Sequence, residues 1–144
     1  MELLCRKEKE LVFKVVINKQ KQLVTALEPK ALYKMVPPQN YVTSNKLDCV
    51  TLVPLDRESG FIHASYGEQV EGVLNKFFGT AHEMTLLQLD VAVLSQHGVE
   101  LRPEANKPGG TIYPHFYGVQ KIPAAAVIKV ISVVRAADGS WAVK

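Results

Sequence analysis

Between Val70 and Phe77 the apolar residues Val70, Val73, Leu74 and Phe77 recur every three or four positions, while Glu68, Glu71, Asn75 and Lys76 fall on the other side. That spacing predicts one amphipathic helix over roughly Tyr66–Phe78. Ser65 followed by Glu68 reads as a capping box, and Gly79 supplies a left-handed residue after the last turn. Elsewhere the apolar runs are short and strand-like. ALYKMV (Ala31–Val36) predicts a strand that Pro37-Pro38 stops, and LVFKVVI (Leu11–Ile17) with QLVTAL (Gln22–Leu27) predicts a hairpin or a strand with a frayed neighbour. From Tyr41 to Gly60 the chain reads as loop apart from a candidate strand at DCVTLV. MTLLQLDVAVL predicts a strand through Leu89 that turns into a short helix at Asp90. EANKPGG is a loop, and AVIKVISVV with ADG and SWAVK closes as a C-terminal hairpin. Strands outnumber helices, so the class is α+β with a mainly antiparallel sheet and one main helix.

The chain has 144 residues, 47% of them hydrophobic. That is one ordinary domain, able to bury about two-thirds of its unfolded surface without a metal or a disulfide. Cys5 and Cys49 are the only cysteines and form no CxxC, which argues against a disulfide framework and structural zinc and for a reducing, cytoplasmic setting. The opening MELLCRKEKE lacks the apolar core of a signal peptide, and no apolar run approaches the roughly 20 residues of a membrane helix. The net charge of +3 is uneven, because residues 1–34 carry eight Lys/Arg against four Asp/Glu. Residues 1–30 are therefore expected to be a basic extension or an added hairpin, and 31–144 a single domain. A solvated face is the plain reading of that charge. Nucleic-acid contact has weak support, since no Arg or aromatic residues interleave with the lysines.

The chemistry gathers in two patches. In GFIHASY the strand alternation puts Phe61, His63 and Ser65 on one face, just before the start of the helix at Tyr66–Glu68. A helix N-terminus offers backbone N–H groups to an anion, although Ser65 can equally serve as a cap. In TIYPHFYG, Tyr113, His115 and Tyr117 share a face, and Pro114 places the segment at an edge or on a loop. Together they predict a polar cleft with aromatic walls, with His63 and His115 on the same side. Histidine moves protons near neutral pH, and tyrosine adds a stacking face and a hydroxyl. The pair of H-x-S/T motifs of a two-histidine phosphoesterase is only half met: His63-x-Ser65 fits, but His115-x-Tyr117 lacks the small hydroxyl residue, so that reading is rejected.

In order, GFIHASYGEQVEGVLNKFF, TLLQLD, YPHFYG and IPAAAVIKV resemble the bacterial domain-of-unknown-function 952 family over about Ala31–Val130. The resemblance implies an ADP-ribosyltransferase-like fold, a split and mainly antiparallel sheet with NAD or a related nucleotide in its cleft. It carries no assigned reaction. His63 and Ser65 fall on the family's FIHxS motif, and His115, Tyr117 and Gly118 on its PHxYG motif. Glu104, here preceded by Pro103, stands where the family often has Trp-Glu, and Lys34 of LYK stands where the wider superfamily has a nucleotide-binding histidine. His63, His115 and Glu104 are thus the candidate catalytic residues. Lys34, Ser65, Tyr66, Tyr113, Tyr117 and Gly118 are the candidate binding residues, with no metal. The expectation is a binder of an NAD-like, ADP-ribose-like or other anionic nucleotide. The alternatives are an NAD-dependent ADP-ribosyl or RNA 2′-phosphate transferase, with NAD as substrate, and an interaction domain that uses the basic N-terminus. ADP-ribosyl transfer needs a carboxylate at the ribose, and Glu104 is the candidate by motif position.

Overall fold

The computed structural model describes residues 23–44, 49–50, 53–118 and 121–144. Leu11–Ile17, the first limb of the expected N-terminal hairpin, lies outside them. The second limb is a correction: Leu23–Ala26 is a helical turn, α1. Leu23 and Leu27, one helical turn apart, are both buried in the same core cluster as Trp141, and helical spacing rather than alternation brings them to one side.

Strand β1, Leu32–Val36, is buried along its whole length, as a strand covered on both faces must be. Pro37-Pro38 ends it, and Pro38 opens helix α2, Pro38–Ser44, where a missing N–H costs nothing. The expected loop before Gly60 therefore holds two helices, α2 and α3 (Pro54–Ser59), and within the candidate strand Cys49–Val50 forms β2. Gly60 ends α3 with φ 79°, a conformation that suits glycine.

The FIHAS segment then changes sheets. Strand β3, Ile62–His63, pairs with β7, whereas β4, Ser65–Tyr66, pairs with β1. Ala64 is the single residue between them. The helix begins with a 3-10 turn, Gly67–Gln69, and continues as α4, Val70–Phe77, close to its predicted span. Its entry differs from expectation: Ser65 sits in β4 opposite Tyr33, and Gln69 Oε1 instead accepts the N–H of Tyr66 at 3.1 Å.

Strand β5 (Glu83–Leu89), helix α5 (Val91–Gln96), β6 (Glu100–Ala105), β7 (Ile112–Tyr117), β8 (Ile122–Pro123), β9 (Val127–Arg135) and β10 (Trp141–Val143) complete the order. Asp90 caps α5 as its position predicts, accepting from Ala92 N at 2.9 Å and Val93 N at 3.3 Å. Asp90→Ala is expected to lower stability by about 1 kcal/mol, read as a reduced urea midpoint at unchanged slope.

The sheets are antiparallel: five strands in the order β10-β9-β5-β1-β4, three in the order β3-β7-β6, and the pair β2-β8. One cluster of buried residues joins Leu32, Leu87 and Leu89 of the larger sheet to Ile62, Phe116 and Leu94; the other packs Tyr33, Leu86 and Val133 against Val70, Leu74 and Trp141. The class is α+β and mostly antiparallel.

Pro114 is a further correction, since β7 is the middle strand of its sheet rather than an edge. The Pro114 carbonyl accepts from Ala64 N at 3.2 Å, so its nitrogen also points toward β3. The β3 ladder has already ended there at His63, and on the other side Pro103 stands opposite, so no bond to β6 is lost.

Candidate functional site

His63 is gripped at three points. Asp56, buried on α3, accepts the His63 backbone N–H and ring Nδ1 on Oδ1, both at 2.9 Å. Lys34 Nζ lies 2.7 Å from Asp56 Oδ2 and donates to the His63 carbonyl at 2.8 Å. Burial would push the Asp56 carboxyl up, but the His63 hydrogen bond and the Lys34 charge outweigh it and hold the group below the ordinary range. Burial pushes the Lys34 ammonium down, and Asp56 offsets only part of that.

His115 stands opposite His63 across the β3–β7 pairing. Its Nδ1 meets Glu104 Oε1 at 3.0 Å, and the Tyr117 hydroxyl donates to the same oxygen. Those two bonds hold the Glu104 carboxyl below its usual value, and the bond to Glu104 pushes the Tyr117 phenol up. The guanidinium of Arg102 covers the Tyr117 ring at 4.3 Å. His115 is only 2% exposed, and its Nε2 is buried without a hydrogen-bond partner.

Phe61 organises the rings. Its centroid lies 4.6 Å from His63, 4.3 Å from His115 and 5.3 Å from Tyr117, and the two imidazoles are 5.4 Å apart at 63°. Alternation explains the grouping: Ile62 and Phe116 turn into the core, so their neighbours face the other way.

Both histidines line a cavity of about 380 Å³. Lys34, Ser65, Tyr113 and Asn106 share its polar side, while Met35, Val53, Val73 and Phe78 supply apolar wall. Glu104 stands behind His115 rather than on the wall. Tyr66 packs against the core, and Gly118 meets a backbone need: with φ 92°, a Cβ there would lie 2.7 Å from the Gly98 carbonyl oxygen.

The helix start expected to receive an anion is occupied by the protein itself. Besides Tyr66 N on Gln69, Gly67 N donates to Ala31 O at 2.9 Å and Glu68 N to Pro29 O at 3.1 Å. Lys30 meets the Glu68 carboxylate at 3.1 Å. Asp56 went unread as a site residue. The signal for it was Lys34, since a lysine inside a strand otherwise wholly apolar needs a buried carboxylate to face.

Residues 35–130 match the model of the family described as "Protein of unknown function (DUF952)". The chain belongs to the DUF952 family. The matched span includes both carboxylate–histidine pairs, Asp56–His63 and Glu104–His115, with Lys34 just before it. Among solved structures, this DUF952 chain is similar to the crystal structure of protein CC0527 from Caulobacter crescentus, with a TM-score of 0.65 at 25% identity over 78% of this chain and 93% of that one. The solution NMR structure of CC0527 gives 0.62 at 27% identity over 76% and 90%. No curated protein matches. Among the described residues, no helix is long and apolar enough to cross a membrane, and no group of three or more His, Cys, Asp or Glu side chains is placed to hold a metal.

Proposed function

We propose that this DUF952 domain, read as ADP-ribosyltransferase-like, binds a nucleoside-bearing ligand of the NAD or ADP-ribose class in the cavity beneath the two histidines. The observation that carries the reading is that His115, whose buried Nε2 has no hydrogen-bond partner, lines that cavity. Glu104 holds Nδ1 as the donor, so Nε2 of the neutral ring is an acceptor. A ribose hydroxyl supplies the donor it lacks, and Tyr113 and Phe78 offer faces to a base or nicotinamide ring.

The charge balance refines the anionic ligand expected from sequence. Lys34, the cation on the wall, is neutralised by Asp56, and the helix start has no free donors at Tyr66, Gly67 and Glu68. Recognition therefore rests on ring and hydroxyl contacts, with phosphates toward the cavity mouth. The transferase alternative draws on Glu104, whose carboxylate would have to leave His115 and Tyr117 to face a ribose.

Calorimetric titration with adenosine, AMP, ADP-ribose and NAD tests the reading. Adenosine and AMP should bind with similar affinity and little dependence on salt. His115→Ala should weaken both about tenfold, the worth of one hydrogen bond. Absence of heat with any of the four at millimolar concentration would refute the proposal. RNA binding that disappears on removal of residues 1–30 would favour the interaction-domain alternative instead.

A further inference from the structure

We infer that Phe77 and Leu55 form an outer station that holds a second flat ring, so that the ligand is a dinucleotide with one nucleoside inside the cavity and the other ring at its rim; the inference rests on the ligand reading above. The apolar stripe of α4 predicts burial at Val70, Leu74 and Phe77 alike. Val70 and Leu74 are fully buried in the cluster with Trp141, yet Phe77, one turn on, is 53% exposed. Leu55 on α3 is 52% exposed. Both residues line the cavity, so two different helices leave a large apolar side chain in water where the cavity meets solvent. Such a surface stays uncovered until a ligand lies on it.

The outer station is separate from the inner one. Phe77 and Phe78 are consecutive, and a helix turns by roughly 100° per residue, so their rings leave the backbone in different directions. Phe78 packs against the buried cluster and serves the inner ring with Tyr113, whereas Phe77 stands at the rim. Lys76 Nζ lies over the Phe77 ring, 5.2 Å from its centroid, which leaves the opposite face for a stacked ring. Leu55 and Phe77 carry no hydrogen-bonding side chain, so the outer ring is held by its face and its edge goes unread. The cavity itself, at about 380 Å³, is near the lower end of the roughly 300–1,000 Å³ of small-molecule sites. A ligand with two rings therefore extends past the mouth, with its phosphates between the stations.

Calorimetric titration of the full chain with adenosine, ADP-ribose and NAD tests the outer station. ADP-ribose keeps every group of NAD except one ring, so it leaves one station empty whichever nucleoside goes inside. NAD is expected to bind about tenfold tighter than ADP-ribose, the worth of one stacked ring. Phe77→Ala should erase that difference and leave adenosine binding unchanged, while Phe77→Tyr, which keeps the ring face, should preserve it. Leu55→Ala should weaken NAD alone. Both side chains are half exposed, and thermal melts establish that each variant is folded. Equal affinity for NAD and ADP-ribose in the unaltered chain, a difference that survives in folded Phe77→Ala, or an equal loss for adenosine and NAD in that variant would overturn the inference. Adenosine binding to the unaltered chain would in each case leave the ligand reading standing. Failure of adenosine, ADP-ribose and NAD to bind at all would overturn both.

Discussion

Lys34→Met is expected to destabilise the domain by about 3–5 kcal/mol, the largest loss from any single change at the site. Methionine fills nearly the same volume, so the cost is electrostatic. Lys34 and Asp56 are 3% and 2% exposed, and the Asp56 Oδ2 that faces Lys34 at 2.7 Å would be left charged and dry. The double variant Lys34→Met/Asp56→Leu removes both charges and should recover most of the loss, because a buried ion pair gains little over apolar residues of similar size. It would still strip His63 of the group that binds its Nδ1 and backbone N–H. Urea unfolding should therefore show the single variant weak and the double variant strong, while the double variant binds ligand poorly. A loss below about 1 kcal/mol for Lys34→Met, the worth of an exposed pair, would mean that the pair is wet and the account wrong.

The same carboxylate sets the acid limit. The folded-state pKa of Asp56 lies below its ordinary value of 3.8, so its contribution is fully present above that value. It is lost as pH falls through the depressed folded-state value, because the unfolded chain then binds the proton more readily. Asp56→Asn should flatten the stability profile in that acid window.

What the sequence revealed of this site followed the reach of its local patterns. A two-residue period puts Phe61 with His63 and Tyr113 with His115, and that period survives folding because both segments are extended. Asp56 had no such signal, since α3 is only six residues long and its partner Lys34 lies on a distant strand. Pro114 misled because the rule against proline in central strands applies to the side on which the N–H is needed, and β3 has stopped there. Ser65 misled differently: its hydroxyl suits a cap, but pairing with Tyr33 keeps it in β4 and moves the helix entry one residue on. QLVTAL was read by propensity, where burial of Leu23 and Leu27 on one side decides for a helix.

Gly67→Ala is expected to cost about 3–5 kcal/mol, combining overpacking against backbone with the loss of nearby hydrogen bonds. A Cβ at Gly67 would stand 2.0 Å from the Glu28 carbonyl oxygen and 3.1 Å from Tyr33 Cε2. The strand that follows Glu28 is fixed, because Tyr33 is buried and β1 pairs on both sides, so the relief must come from residues 28–31. Moving them breaks Gly67 N to Ala31 O, Glu68 N to Pro29 O, and the bond from Glu28 N to the Tyr33 hydroxyl. The melting temperature should fall by roughly 10 °C. Gly72→Ala provides the contrast within the same helical segment. Nothing lies within 4 Å of a Cβ there, and its backbone is already helical, so alanine should stabilise by about 0.4–1 kcal/mol by restricting the unfolded chain. Opposite signs for one chemical change, placed either side of the helix start, distinguish contact from propensity. Equal shifts in the two variants would show that the 28–31 segment does not pack on Gly67 as described.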